Sequence, residues 1–291
     1  MDRKAIGAFL VVALALGGCG KKREVIVGSK NFTEQLILGE IISQQIERRL
    51  HIPVKRQLNL GGTLLAHQAL TNSQIDLYPE YTGTAYMTML HRSGVTDPAT
   101  VLDQVRGDYA SSFHLKWLDP LGFNDSFAIA VRGELARQMK LDTISDAEKS
   151  KRRWALGSGY EFLERPDGFR ALEATYPDMQ WNGAPKTMDL GLLYKALEQG
   201  QVEMVAGNTT DAALATGAQK VLKDDRHAFP PYQASIVVRY DTLDRFPGLE
   251  KALSELSGKI SEEAMQKMNG EVDVQHRPPA DVAAEFLKTL P

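Results

Sequence analysis

Two similar α/β lobes with mostly parallel sheets are predicted by three features of this 291-residue sequence. Apolar, strand-like runs alternate with helical patterns, as in βαβ units. The pattern then returns in the second half of the chain. Trp154-Ala155-Leu156-Gly157-Ser158 repeats the strand and Gly-Ser turn of Val25-Ile26-Val27-Gly28-Ser29, and Leu192 to Asp211 repeats Leu65 to Thr84 at one constant offset. Finally, the apolar runs Phe127 to Val131 and Ser235 to Val238 stand where a chain would cross between two lobes and return. The length suits two lobes of moderate size better than one small domain.

The first residues read as a targeting segment. Arg3 and Lys4 supply a positive end, and Ala5 to Leu16 form an apolar run too short to span a bilayer comfortably. Leu16-Gly17-Gly18-Cys19 resembles the bacterial lipobox, which implies cleavage before Cys19 and lipid on its thiol. Cys19 is the only cysteine, so a disulfide within the chain is impossible. Residues 1–18 are expected to be a signal peptide and 19–23 a lipidated tether. Two acyl chains suffice for stable anchoring. Apolar content of 43%, charged content of 24% and a net charge of −3 describe a globular body without the basic face that nucleic acid requires.

The first strand is Glu24 to Val27, followed by a Gly28-Ser29-Lys30 turn. Asn31 and Glu34 have capping-box spacing, which predicts a helix starting at Asn31 with its core stripe on Leu38, Ile42, Ile46 and Leu50. Val54, Leu58 and Leu60 mark a second strand, broken by Gly61-Gly62, and a helix runs from Thr63 to Leu70. A short strand through Ile75, Leu77 and Tyr78 should stop at Pro79, which cannot donate to a ladder. Tyr81, Thr82, Gly83 and Thr84 then stand at the carboxyl end of that strand, the edge where ligands collect in open α/β sheets. On the internal register Tyr81 corresponds to Asn208 and Thr82 to Thr209. The remainder, Leu243 to Leu290, is helical and should pack on the first lobe. Lobe 1 is expected over 24–125 and 233–291, and lobe 2 over 126–232.

Catalytic constellations are thin. The six histidines stand far apart without metal-site spacing, and no Gly-x-Ser-x-Gly elbow is present. The composition of the strand ends fits recognition of a small zwitterion instead. Aromatic faces at Tyr81, Tyr232 and Phe127 would attract a quaternary ammonium by about 0.5–2 kcal/mol per well-placed ring. Asp125 could add charge near the cation, while Lys30, Arg165 and the helix N-terminus at Asn31 could hold a carboxylate. Each has a structural alternative: Phe127 as core, Lys30 and Arg165 as solvated charges, Asp125 as a turn former after Asn124.

Several longer motifs carry a family likeness. Gly28 to Gln35, Asp76 to Thr84, Gly122-Phe123-Asn124-Asp125, Glu161-Phe162-x-x-Arg165 with Asp167-Gly168, Thr210-Asp211 and Pro230-Pro231-Tyr232 resemble the substrate-binding proteins of osmoprotectant ABC importers. The resemblance covers essentially the whole mature chain. It implies a two-lobed periplasmic-binding-protein fold of type II with two interlobe crossovers, no enzymatic activity and no cofactor. The implied ligand is glycine betaine, choline or a related quaternary amine, and the implied partners are an ABC permease and ATPase. A monomer at the extracytoplasmic face of a membrane is expected. An envelope sensor, or an enzyme on the same fold, is the alternative.

By resemblance, Tyr81 and Tyr232 would wall an aromatic cage, Asp125 would lie beside the cation, and Lys30, Thr84 and Arg165 would hold the ligand carboxylate. The family commonly has tyrosine where this chain has Phe127 and an aromatic where it has Asn208. Losing one wall costs about 1 kcal/mol. Weak glycine betaine binding, or a larger ligand whose polar group meets Asn208, is therefore expected, with Tyr160, Tyr78 or Phe123 as substitutes for the missing wall.

Overall fold

A computed structural model describes residues 24–290; the expected signal peptide, the tether and Cys19 lie outside the described residues. The chain opens with β1 (Val25–Gly28), the helix Thr33–Leu50, β2 (Val54–Gln57), the helix Thr63–Thr71, β3 (Leu77–Tyr81), the helix Pro98–Phe113 and β4 (Leu115–Trp117). It then crosses with β5 (Phe127–Arg132) and builds β6 (Arg153–Trp154), β7 (Leu156–Ser158), β8 (Gln180–Trp181), β9 (Lys186–Thr187), β10 (Met204–Asn208) and β11 (Gln219–Val221). It returns with β12 (Ala234–Arg239) and ends in the helices Tyr240–Arg245, Leu249–Ser254, Glu262–Asp273 and Pro279–Lys288.

Two five-stranded sheets result, in the orders β2-β1-β3-β12-β4 and β11-β5-β10-β7-β9. The α/β class is as the sequence predicts, but both sheets are mixed rather than mostly parallel. In the first, β2 and β3 pair with β1 in parallel, while β12 enters antiparallel to β3 and β4. In the second, β7 runs parallel to β10 and β9, while β5 is antiparallel to β10 and β11. The antiparallel strands are the two crossing strands. Each arrives from the other half of the molecule and adds to a sheet already built by βα units.

The internal repeat survives as register. Val27 faces Leu77 where β1 meets β3, and Leu156 faces Met204 where β7 meets β10. Likewise Ala234 of the returning strand faces Tyr81, and Phe127 of the outgoing strand faces Asn208. Tyr81 and Asn208 thus end equivalent strands beside equivalent crossings. The crossings also touch each other, through a bridge between Asn124 and Gln233.

The core behaves as its pattern demands. Leu38, Ile42 and Ile46 are fully buried along the helix Thr33–Leu50, which lies between the first sheet and the three last helices. Two local expectations fail. Pro79 does not end β3, which continues to Tyr81 along β12. β1 pairs with β3 only at Leu77, so beyond that point the proline interrupts no two-sided ladder. The first helix begins at Thr33 with Phe32 at its N-cap, and no side chain caps it. Glu34 does not reach back to Asn31 because its carboxyl is held by residues of the site.

Candidate functional site

The carboxyl ends of β1, β3, β7 and β10 and the two crossings surround one cavity of about 520 Å³. All eight residues singled out in the sequence line it: Lys30, Tyr81, Thr84, Asp125, Phe127, Arg165, Asn208 and Tyr232. The structure brings them together and gives their side chains partners that the sequence left open.

Lys30 follows β1 and is buried, at 1% exposure. Its Nζ lies 2.5 Å from Glu80 Oε1 and 5.3 Å from the centroid of the Tyr81 ring. The ammonium is therefore already neutralised by a protein carboxylate. Glu80 in turn accepts from the Tyr78 hydroxyl at 3.0 Å and from the Tyr81 amide at 2.8 Å.

Arg165 follows the helix Tyr160–Glu164 and is likewise committed, though with capacity left over. Its Nε donates to Asp167 Oδ1 at 2.9 Å, and its Nη2 donates to Thr84 Oγ1 at 3.0 Å and to Asp167 Oδ2. The guanidinium lies over Phe127 at 5.0 Å from the ring centroid and over Tyr232 at 5.9 Å. Phe127 is edge-packed by Phe162, Phe229 and Tyr232. Two of the three expected cage rings thus present π faces to an arginine of the protein itself. Asp167 also accepts from the Tyr232 hydroxyl at 2.7 Å and from Thr88 at 3.1 Å. Burial pushes its carboxyl up, but Arg165 and the Tyr232 hydroxyl outweigh burial and hold it below the usual range.

A second, acidic group occupies the same cavity. Glu34 accepts from the Tyr81 hydroxyl at 2.6 Å, and Thr210 Oγ1 lies between Glu34 Oε2 and Asp125 Oδ1. Asp211 accepts from the Asn208 amide at 2.7 Å and from the Tyr194 hydroxyl at 2.8 Å. Burial pushes Glu34 up to about 7 and Asp211 up to about 6, and it raises Asp125 well above the ordinary range. Among the described residues no ion pair joins these three carboxyls to a cation. The cavity therefore has Arg165, with its Asp167 partner, in one part and buried carboxyls without a cationic partner in another.

Other residues of the site were not singled out beforehand. Glu34 was read as a cap because of its spacing from Asn31. Glu161 reaches from the second half of the molecule to the N-terminus of the helix Thr63–Thr71, accepting from the Thr63 amide at 2.5 Å and its hydroxyl at 3.2 Å. Burial would raise its carboxyl, but Lys30, Arg165 and the Thr63 bonds hold it below its usual value. Phe32 lines the cavity and stacks on Tyr81 with ring centroids 6.4 Å apart. Of the substitute walls, Tyr160 lines the cavity and is 63% exposed, whereas Tyr78 and Phe123 are buried elsewhere. The Asn208 side-chain amide makes no hydrogen bond to the described residues, so it presents a free donor and a free acceptor to the cavity.

Residues 23–289 match the family model described as the substrate binding domain of ABC-type glycine betaine transport systems. A carnitine transport binding protein of Listeria monocytogenes is 34% identical, over 99% of this chain and 97% of the relative. An ergothioneine transport permease/ergothioneine binding protein of Helicobacter pylori is 35% identical over 98% of this chain, which spans 52% of that longer protein. Among solved structures, a glycine betaine/carnitine/choline ABC transporter protein superposes with a TM-score of 0.77 at 31% identity, covering 91% of this chain and 98% of the other.

Proposed function

The chain belongs to the family of substrate binding domains of ABC-type glycine betaine transport systems, and from that premise we propose that it captures a zwitterionic quaternary amine larger than glycine betaine. It is the substrate-binding protein of an ABC transporter of the betaine/carnitine type, and such components act outside the cytoplasm. No helix among the described residues is long and apolar enough to cross a membrane. We assign the lipid anchor to Cys19 and the lobe boundaries to 125/126 and 232/233, beside the bridge between the two crossings.

The observation that carries the ligand class is the placement of Arg165 and the buried carboxyls in different parts of one cavity. A ligand with a fixed cation and a carboxylate matches buried acids on one side and Arg165 with Thr84 on the other. The cation is placed against Tyr81, with Asp125 close by and Phe32 and Tyr160 as further walls. Phe127 and Tyr232 act on the ligand through Arg165, whose fork they hold from behind. The uncommitted Asn208 amide favours a ligand with an additional hydroxyl or ring heteroatom, as carnitine and ergothioneine have. A pocket of this size also lies in the range of ligand sites, about 300–1,000 Å³.

Calorimetry with glycine betaine, choline, carnitine and ergothioneine tests this reading. Carnitine or ergothioneine should bind most tightly, and choline, without a carboxylate, should bind weakly. Asn208→Tyr should tighten glycine betaine by about 1 kcal/mol, several-fold in Kd, and weaken the larger ligands. Low-micromolar or tighter glycine betaine binding by the natural protein, with no preference for the larger ligands, would refute it.

Glu161 should act on closure rather than on the ligand. Its carboxylate caps a helix of the opposite lobe, and losing such a cap costs about 1 kcal/mol. Glu161→Ala should therefore lower the closed-to-open ratio about five-fold and weaken every ligand by up to that factor. Small-angle scattering of the unliganded variant should show a larger radius of gyration. An unchanged radius together with unchanged affinities rules the latch out.

A further inference from the structure

We propose that Glu34, Thr210 and Asp125 form the counter-ion site for the ligand's cation, and that this site holds one proton when empty and releases it to solvent when the cation binds. The ligand class rests on the function proposed above; the proton in the empty site does not.

The geometry requires a shared proton. Thr210 Oγ1 lies 2.6 Å from Glu34 Oε2 and 2.9 Å from Asp125 Oδ1, and all three residues are buried. A hydroxyl has one proton to give, so it can donate to only one of these carboxyls. The Thr210 amide also points at Asp125 Oδ1, at 3.4 Å, as the Asn269 side-chain amide points at Glu34 Oε2. The other contact is complete only if one of the two carboxyls carries a proton and donates it to Thr210 Oγ1. Glu34 Oε1 remains an acceptor for the Tyr81 hydroxyl at 2.6 Å, and that hydroxyl accepts from Gln35 Nε2 at 3.1 Å.

The surroundings supply no cation to replace the proton. From the helix Glu262–Asp273, neutral Asn269 donates to Glu34 Oε2 at 3.4 Å, and Asp273 accepts from Thr33. From the loop after β10, Asp211 adds a negative charge, with Tyr194 of the helix Leu193–Glu198 bonded to it. From the turn after β1, Lys30 is paired with Glu80. Two neighbouring buried carboxyls without a cation cannot both ionise cheaply. Burial accordingly pushes Glu34 up to about 7 and raises Asp125 as well.

A quaternary ammonium has no N–H, so it contributes charge and not a hydrogen bond. Placed beside Glu34 it favours the ionised carboxyl; the O–H bond breaks and the proton passes to buffer. The sign follows by linkage: affinity tightens as pH rises through about 7, by up to roughly ten-fold per unit below it, and levels off above.

Carboxyl ¹³C NMR of the ligand-free protein is the first test. The Glu34 signal should titrate near 7 and move down on adding carnitine, or on adding tetramethylammonium as a probe of the cation half alone. Calorimetry in buffers of different ionisation enthalpy should show approximately one proton released near pH 6 and almost none above about pH 8.5. Glu34→Gln should abolish that release and weaken carnitine at least ten-fold at high pH. Thr210→Val, which keeps both carboxyls but removes the bridge between them, should shift the affinity midpoint in pH, and Thr210→Ser should restore it. Both carboxyls ionising below about pH 5 in the empty protein, or a Glu34 signal unmoved by both ligands, overturns the proposal. A shift with tetramethylammonium but no carnitine binding sinks only the ligand assignment and leaves the counter-ion site standing.

Discussion

Lys30→Met is expected to destabilise the protein by about 3–5 kcal/mol, the cost of breaking a buried ion pair from one side. The pair is buried, with Lys30 at 1% and Glu80 at 0% exposure. Once the ammonium is gone, Glu80 keeps the Tyr78 hydroxyl and the Tyr81 amide as donors but has no cation. The uncompensated charge is the damage, so Glu80→Gln in the same chain should recover most of it. Urea unfolding of the mature protein measures both effects. Lysine acting mainly as a holder of the ligand carboxylate makes the opposite prediction: Lys30→Met would keep its unfolding midpoint and lose only binding. A midpoint equal to that of the natural protein therefore removes the structural role assigned here. Ligand affinity should fall as well, because the loop that carries Lys30 leads into the first turn of the helix holding Phe32 and Glu34.

The fold was legible because it rests on local period and on repetition. The two repeats, which map Tyr81 on Asn208 and Val27 on Leu156, reappear as matched strand register, Val27 with Leu77 and Leu156 with Met204. Apolar runs likewise announced both crossing strands. Their antiparallel entry was not legible, since a strand's direction depends on which lobe it comes from and not on its composition. At the site, residue types were legible and partnerships were not. Lys30 and Glu80 stand 50 positions apart, and Thr210 meets Glu34 across 176. Sequence alone could present Lys30 only as a free cation and Glu34 only as a cap. The same blindness applies to Phe127, which read as an aromatic face for the ligand's cation. In the structure its ring supports a guanidinium, a contact that needs a π face and no hydroxyl.

That support makes Arg165 the residue whose loss should cost binding most. Its side chain joins Thr84, which follows β3, to Asp167 of the other half of the molecule, while Phe127 and Tyr232 of the two crossings lie beneath it. Removing the guanidinium takes away the proposed carboxylate anchor and leaves Asp167 buried with only Tyr232 and Thr88 as side-chain donors. Truncating one partner of such a pair costs about 2–5 kcal/mol, so Arg165→Ala should weaken carnitine about 100-fold or more. Arg165→Lys keeps the charge but loses the fork and the flat stacking surface, and should recover only part of that loss. Choline separates the two contributions, because it has the cation without the carboxylate. If Arg165 binds the carboxylate, calorimetry should show a much larger loss for carnitine than for choline in both variants. Equal losses for the two ligands would mean that Arg165 serves closure alone, and the anion would then have to be held by another group lining the same cavity.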